Sequence, residues 1–182
     1  VDSDVIGKIS KVQIWTNRPV WPQGIKMSTA DPSAKPADLN WDLWLGPALD
    51  KPYTPNLHPF NWRGWWDYGT GALGDVGCHL IDIPYRTLGL KYPKDAECSV
   101  GTVYSRMWTP DYFPEGCPPS SFITLNFDST EKSKSPIEMT WSDGGIRPSH
   151  PEIIPANDDI GGSGSANGVL MIGEKGIIST NI

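Results

Sequence analysis

The chain has 182 residues, of which 38% are apolar, and this length is enough for one domain with a core of its own. Its 15 basic and 21 acidic residues give a net charge of −6, which argues against nonspecific binding to nucleic acid. No apolar stretch approaches the roughly 20 residues of a membrane helix, and the 19 Gly and 18 Pro favour long ordered loops between short strands.

The first predicted element is a strand over residues 6–16, where β-branched residues alternate with polar ones from Val12 onward. Residues 17–61 are rich in Pro and Trp, and only residues 39–45 have the pattern of a short helical turn. Loops of this length are either functional or disordered. The tryptophans favour an ordered loop region, because a disordered segment would not carry so much apolar surface.

Residues 73–90 form the one convincing predicted helix, with an apolar stripe at Val76, Leu80 and Ile83. Pro84 has no N–H to donate to the carbonyl of Leu80, so we expect a kink or break there.

Strands are predicted for most of the remaining chain, at residues 98–104, 122–127, 137–141, 169–172 and 177–180. The last two flank Gly-Glu-Lys-Gly, which is typical of a hairpin turn. Residues 158–168 are rich in Gly and Ser and are expected to be mobile. Several strands after one helix predict the α+β class, with a mainly antiparallel open sheet covered on one face by the helix and the long loops.

The helix carries a second, polar face formed by Asp75, His79 and Asp82. A carboxylate one turn from an imidazole can orient the ring, which suits a histidine that exchanges a proton with a substrate hydroxyl. Asp82 could orient the ring or bind a second hydroxyl. The alternative is a solvated polar face, with Asp75 favoured by the nearby helix N-terminus.

The segment before the helix contains Trp62, Arg63, Trp65 and Trp66. The indole rings could stack on a sugar or nicotinamide, and Arg63 could hold a carboxylate or a phosphate. A Trp-rich loop folded over a small core of its own would give the same pattern.

Residues 69–74 match Gly-x-Gly-x-x-Gly, but we do not interpret them as a dinucleotide-binding fingerprint. That motif requires a buried parallel strand immediately before it and a βαβ frame after it. The glycines are better explained by a loop that approaches its neighbours closely at the start of the helix.

No metal site is predicted, because His58 and His150 have no ligand spacing with each other or with His79. The three cysteines lack Cys-x-x-Cys spacing and are expected to be buried or unpaired thiols. No motif of a nucleophilic hydrolase is present in the sequence.

At these residues the chain resembles the glucose–fructose oxidoreductase, inositol dehydrogenase and MocA (Gfo/Idh/MocA) family, in particular its large bacterial subgroup. The resemblance extends from about Ile6 to Ile178, and it is most specific at residues 58–82. Other segments that carry it are residues 15–24, which begin Trp-Thr-Asn-Arg-Pro, and residues 42–47, Asp-Leu-Trp-Leu-Gly-Pro.

The resemblance implies that residues 1–182 form the C-terminal substrate-binding and oligomerisation domain, with a fold like that of dihydrodipicolinate reductase and glyceraldehyde-phosphate dehydrogenase C-terminal domains. The family's N-terminal Rossmann domain, which binds NAD or NADP, and its Glu-Lys-Pro motif are not found in this sequence. We therefore expect an excised fragment that is inactive alone. The resemblance implies that His79 and Asp75 are the catalytic residues and that His79 exchanges the proton of the substrate hydroxyl. It also implies that Trp62 and Arg63 lie near the junction between cofactor and substrate.

The function expected from the sequence is the substrate-binding half of an NAD(P)-dependent oxidoreductase acting on a sugar, polyol or sugar derivative. Substrate contacts are expected from Trp62, Arg63, Trp66 and Asp82, and the exposed sheet face is expected to form a homo-oligomer. One alternative is a glycosidase that uses NAD as a resident redox catalyst, and another is a carbohydrate-binding or assembly module without catalysis. The sequence is compatible with a location in the cytoplasm or in the periplasm of a bacterium.

Overall fold

The computed structural model describes residues 4–161 and 166–180. By its contacts the chain divides into two compact units. The sheet unit comprises residues 1–18, 76–100 and 120–182, and the loop unit comprises residues 19–75 and 101–119. Part of the Gly/Ser-rich segment predicted at residues 158–168 lies outside the described residues.

In its described residues the sheet unit has six strands, in the spatial order β2-β3-β4-β1-β5-β6. Four of the five neighbouring pairs are antiparallel, and only β1 and β4 run parallel. The predicted α+β class with a mainly antiparallel open sheet is therefore confirmed. The strands are β1 (Ile9–Trp15), β2 (Asp95–Val100), β3 (Ser121–Phe127), β4 (Ile137–Ser142), β5 (Gly168–Gly173) and β6 (Ile177–Thr180).

Three α-helices are present among the described residues, namely α1 (Trp41–Leu45), α2 (Gly71–Leu80) and α3 (Asp82–Thr87). The single helix predicted over residues 73–90 is thus two helices separated at Ile81. Pro84 explains the break, because it cannot donate to Leu80, although the amides of Ile81 and Tyr85 still donate to Gly77 and Ile81 at 2.8 and 3.0 Å. None of the helices in the described ranges has the length and apolar character needed to cross a membrane.

One face of the sheet packs against the end of α2 and the segment that follows it. Leu80, Leu88 and Leu90 are buried there against side chains of the four central strands. The opposite face buries Trp15 and Leu170 against Ile160, a residue of the preceding loop. The sheet-side members of the main core are Val12, Ile14, Phe127, Ile137, Met139, Trp141, Val169 and Met171.

A buried carboxylate connects the end of β4 to the start of β3. Asp143 accepts hydrogen bonds from the backbone N–H and the hydroxyl of Ser121 at 2.5 and 2.6 Å, and from Nε1 of Trp141 at 2.9 Å. Only 4% of Asp143 is exposed to solvent. Three donors converging on one acceptor-only group fix the register of this strand pair.

We expect Asp143→Asn to lower the free energy of unfolding by about 1–2 kcal/mol, because the new amide nitrogen faces groups that themselves donate. Urea denaturation measures the change. Asp95→Asn is the matched control, since Asp95 accepts from Asn126 at 2.5 Å on the exposed strand β2 and should change stability by less than about 0.5 kcal/mol. Equal losses of unfolding free energy in the two variants would contradict the conclusion that the buried carboxylate stabilises the pairing of β3 with β4.

Candidate functional site

The loop unit has its own apolar core, which consists largely of aromatic residues. Trp41, Tyr53, Leu57 and Trp65 are buried in it. Helix α1 contributes through Trp41 and Leu45, and the side chain of Asn40 caps its N-terminus by accepting from the amide of Leu43 at 3.1 Å. The Pro- and Trp-rich loop region is thus ordered around a core, as its composition predicts.

Arg63 lies in a 3-10 helix, Asn61–Gly64, and its guanidinium group has partners on several sides. Nε donates to Oδ1 of Asp75 at 2.8 Å, and one terminal nitrogen donates to the carbonyl oxygen of Phe60 at 3.0 Å. The guanidinium carbon lies 4.5 Å from the ring centre of Trp62 and 4.6 Å from that of Phe60. In the structure the carboxylate held by Arg63 is therefore that of Asp75.

The glycines of residues 64–74 allow this arrangement because side chains would collide there. A Cβ atom on Gly64 would lie 1.9 Å from the carbonyl oxygen of Pro22, and one on Gly69 would lie 2.7 Å from Cα of Arg63. Gly71, at φ +62°, leaves no room beside Cys117. Residues before Gly69 form a 3-10 helix and an isolated bridge to Gly116 rather than a buried strand. The interpretation of this run as a close-approach loop is confirmed.

Asp75 and His79 are the fifth and ninth residues of α2, so the helical period sets them on the same face one turn apart. His79 is exposed and Asp75 is half-buried. Asp82 begins α3 instead of continuing α2, and it is exposed, with Arg86 as its ion-pair partner at 3.8 Å. The break at Ile81 thus separates Asp82 from the helix that carries the other two.

Of the three indole rings that could stack on a ligand, that of Trp65 is buried in the aromatic core and is not available for this role. The two that were predicted as substrate contacts differ in their surroundings. Trp62 is half-buried, packs against the aromatic core and stacks on Arg63. Trp66 is 52% exposed, so its ring is accessible to a ligand. Its amide donates to the carbonyl oxygen of Glu115 at 3.0 Å, which fixes its backbone.

A further group of polar side chains lies at the edge of the aromatic core and was not singled out from the sequence. Lys51 Nζ donates to Asp67 Oδ2 at 2.5 Å, and this hydrogen bond raises the pKa of Lys51. Burial raises the pKa of the Tyr68 phenol. Lys51 and Asp67 are sixteen residues apart with no periodic relation, so no sequence signal could have paired them.

A six-stranded, mostly antiparallel open sheet with few helices is consistent with a C-terminal α/β domain. Residues 2–101 match the family model described as "Oxidoreductase family, C-terminal alpha/beta domain". Because the match covers more than half of the 182 residues, the chain belongs to the Gfo/Idh/MocA oxidoreductase family, as the resemblance predicted. A search of curated proteins found no match to the chain.

Proposed function

We propose that this chain is the substrate-binding domain of an NAD(P)-dependent oxidoreductase that acts on a secondary hydroxyl of a sugar, polyol or sugar derivative. The observation that carries the proposal is the Arg63–Asp75 ion pair, one helical turn from His79. It provides a carboxylate held by Arg63 one turn along α2 from an exposed imidazole. Asp75, Arg63 and His79 all lie within the part of the chain that matches the oxidoreductase family.

Residues 69–74 formally match the glycine pattern of a loop that binds dinucleotide phosphates. Within this run the protein itself lies close to two of the glycines, because a Cβ atom on Gly69 would lie 2.7 Å from Cα of Arg63 and one on Gly71 would lie 2.9 Å from Cβ of Cys117. We propose that the cofactor is held mainly by an N-terminal Rossmann domain of the full-length protein. When bound, NAD(P) supplies the acceptor for a hydride.

The roles of this chain's own residues follow from their chemistry. His79 accepts the proton of the substrate hydroxyl as the carbon is oxidised, because a neutral imidazole is a competent base near neutral pH. Asp75 orients the substrate or the imidazole, and Arg63 positions Asp75. Trp66 offers an exposed ring to the substrate, while Asp82 is an exposed acceptor for a further hydroxyl.

A homo-oligomer through the sheet face is part of the proposal. Every residue of β2 is exposed, and Phe122 on the neighbouring β3 is 43% exposed. A partner that covers this surface would remove apolar area and an open strand edge from water.

The test is a cofactor assay on the full-length protein with a panel of sugars and polyols. We expect NADH or NADPH to accumulate with at least one substrate, followed at 340 nm. A glycosidase that uses NAD as a resident catalyst would release a glycone without net NADH. Sugar binding without either reaction would favour the non-catalytic module, and would contradict the proposed activity.

A further inference from the structure

Trp21 and Gln23 belong to the loop unit and have no role in the chemistry proposed above. Trp21 lies beside Arg63, with 5.8 Å between its ring centre and the guanidinium carbon. Phe60 and Trp62 lie against the same group at 4.6 and 4.5 Å, so three aromatic rings are within cation–π distance of one cation. Phe60 is 44% exposed and Trp62 is half-buried, whereas Trp21 is only 5% exposed. Trp21 is therefore the most deeply buried of the three rings.

Gln23 holds the indole of Trp21 in place through its side-chain amide. Its Oε1 accepts a hydrogen bond from Nε1 of Trp21 at 2.8 Å, and its Nε2 donates to the carbonyl oxygen of Pro118 at 2.6 Å. An indole nitrogen can only donate and a carbonyl oxygen can only accept. The amide of glutamine supplies one acceptor and one donor for these two partners, and turning it over would break both hydrogen bonds. The orientation of Gln23 is therefore fixed by its partners.

The surroundings of Gln23 include the start of helix α2. The amide of Gly24 donates to the carbonyl oxygen of Cys117 at 2.8 Å, which fixes the backbone next to Gln23. Gly71 is the first residue of α2, and a Cβ atom on it would lie 2.9 Å from Cβ of Cys117 and 3.1 Å from Oε1 of Gln23. The side chain of Gln23 thus lies close to the helix that carries Asp75.

The ion pair between Arg63 and Asp75 needs support from its surroundings. Its two side chains are 24% and 32% exposed, and solvent screens a pair of this kind. An arginine side chain also has several rotatable bonds, so one hydrogen bond to the carboxylate at 2.8 Å does not fix the plane of its guanidinium group. Rings that are themselves immobile restrict this plane to the orientations that stack on them. Immobilising Trp21 therefore limits the positions that Arg63 and its carboxylate partner can take.

We infer that Trp21 and Gln23 are positioning residues for the carboxylate of Asp75. Gln23 fixes the indole of Trp21, the indole restricts the guanidinium of Arg63, and the guanidinium holds the carboxylate. The inference rests on the proposed function, because this carboxylate lies one turn along α2 from His79. It adds two residues that act on the reaction only through Arg63.

The experiment replaces Gln23 by Met in the full-length protein and measures steady-state kinetics with the substrate found in the cofactor assay. Methionine has a similar length but no amide, so both hydrogen bonds are lost. We expect kcat to fall about fivefold while KM stays within about twofold, because a displaced carboxylate affects the reacting hydroxyl more than the binding of the substrate. Gln13→Met is the matched control and should leave kcat unchanged, since Gln13 is also half-buried but lies on β1 of the sheet unit.

The same substitution in an Asp75→Asn background separates positioning from a general structural role. If Gln23 acts through the carboxylate, Gln23→Met should lower kcat by less than about twofold once the carboxylate is absent. Equal losses of kcat in both backgrounds, or no loss in the wild-type background, would overturn the inference. Trp21→Phe keeps a ring but removes the N–H, and it provides the same cycle if Gln23→Met does not fold.

A protein that oxidises none of the sugars or polyols would contradict the proposed function, and urea denaturation then decides the inference. Gln23→Met should raise the unfolding equilibrium constant, and this factor should be about threefold smaller in the Asp75→Asn protein than in the wild type. Equal factors in the two backgrounds would overturn the inference independently of any activity.

Discussion

Replacing His79 by Gln in the full-length protein is expected to lower kcat for NAD(P)-linked oxidation by about 10²- to 10⁴-fold, the usual contribution of a general base. Glutamine retains a hydrogen-bonding side chain of similar size but cannot take up a proton near neutral pH. Since His79 is exposed in the last turn of α2, the substitution should leave the melting temperature within about 2 °C. Steady-state kinetics with the substrate found in the cofactor assay measures the loss.

His150→Gln is the matched control for this prediction. His150 is also exposed, and its ring nitrogens lie 3.1 and 2.9 Å from the carbonyl oxygens of Pro151 and Asp158. Both substitutions therefore remove an imidazole from a solvated position. Of the two histidines, only His79 lies one helical turn from a carboxylate. A His79→Gln enzyme that keeps kcat within twofold of wild type would end the assignment of His79 as the base.

Strands β3 and β4 were predicted from the sequence to within one residue, whereas β1 was predicted over residues 6–16 and lies at Ile9–Trp15. The predicted residues 122–127 and 137–141 correspond to Ser121–Phe127 and Ile137–Ser142. Their alternation reflects burial, because Phe127, Ile137, Met139 and Trp141 point into the main core. The helix break could be predicted as well, since it depends on one missing N–H at Pro84.

Strand β2 was predicted at residues 98–104 and lies at Asp95–Val100. The reason for the difference is its position at the edge of the sheet, where all six of its residues are exposed. A strand without a buried face has no hydrophobic alternation that could locate its ends. Its register is set instead by β3, for example through the pairing of Asp95 with Asn126.

Pairings between distant segments could not be derived from local patterns. The parallel pairing of β1 with β4 joins residues more than 120 positions apart, and the core of the loop unit combines Trp41 with Trp65. The candidate site shows the same limit on a smaller scale. Arg63 and Asp75 were each identified as functional residues, but their ion pair depends on how the glycine-rich loop folds back between them.

Replacing Arg63 by Ala is expected to lower the free energy of unfolding by about 3 kcal/mol. The change removes the ion pair with Asp75, the hydrogen bond to Phe60 and two ring contacts at once. The ion pair itself contributes only about 1 kcal/mol of this, because its side chains are 24% and 32% exposed and solvent screens them. Urea denaturation measures the total, and a double-mutant cycle with Asp75→Ala isolates the coupling between the two residues.

Arg86→Ala is the matched control, since Arg86 also has an aspartate partner, Asp82, at 3.8 Å, but its side chain is 78% exposed. We expect Arg86→Ala to lower the free energy of unfolding by less than about 0.5 kcal/mol. Arg63→Lys should recover only part of the stability, because an ammonium group keeps the charge but cannot stack its plane on the rings of Phe60 and Trp62. If Arg63→Ala were as mild as Arg86→Ala, the guanidinium would not hold Asp75 in place. The fixed carboxylate one turn along α2 from His79, on which the proposed chemistry depends, would then lose its structural basis.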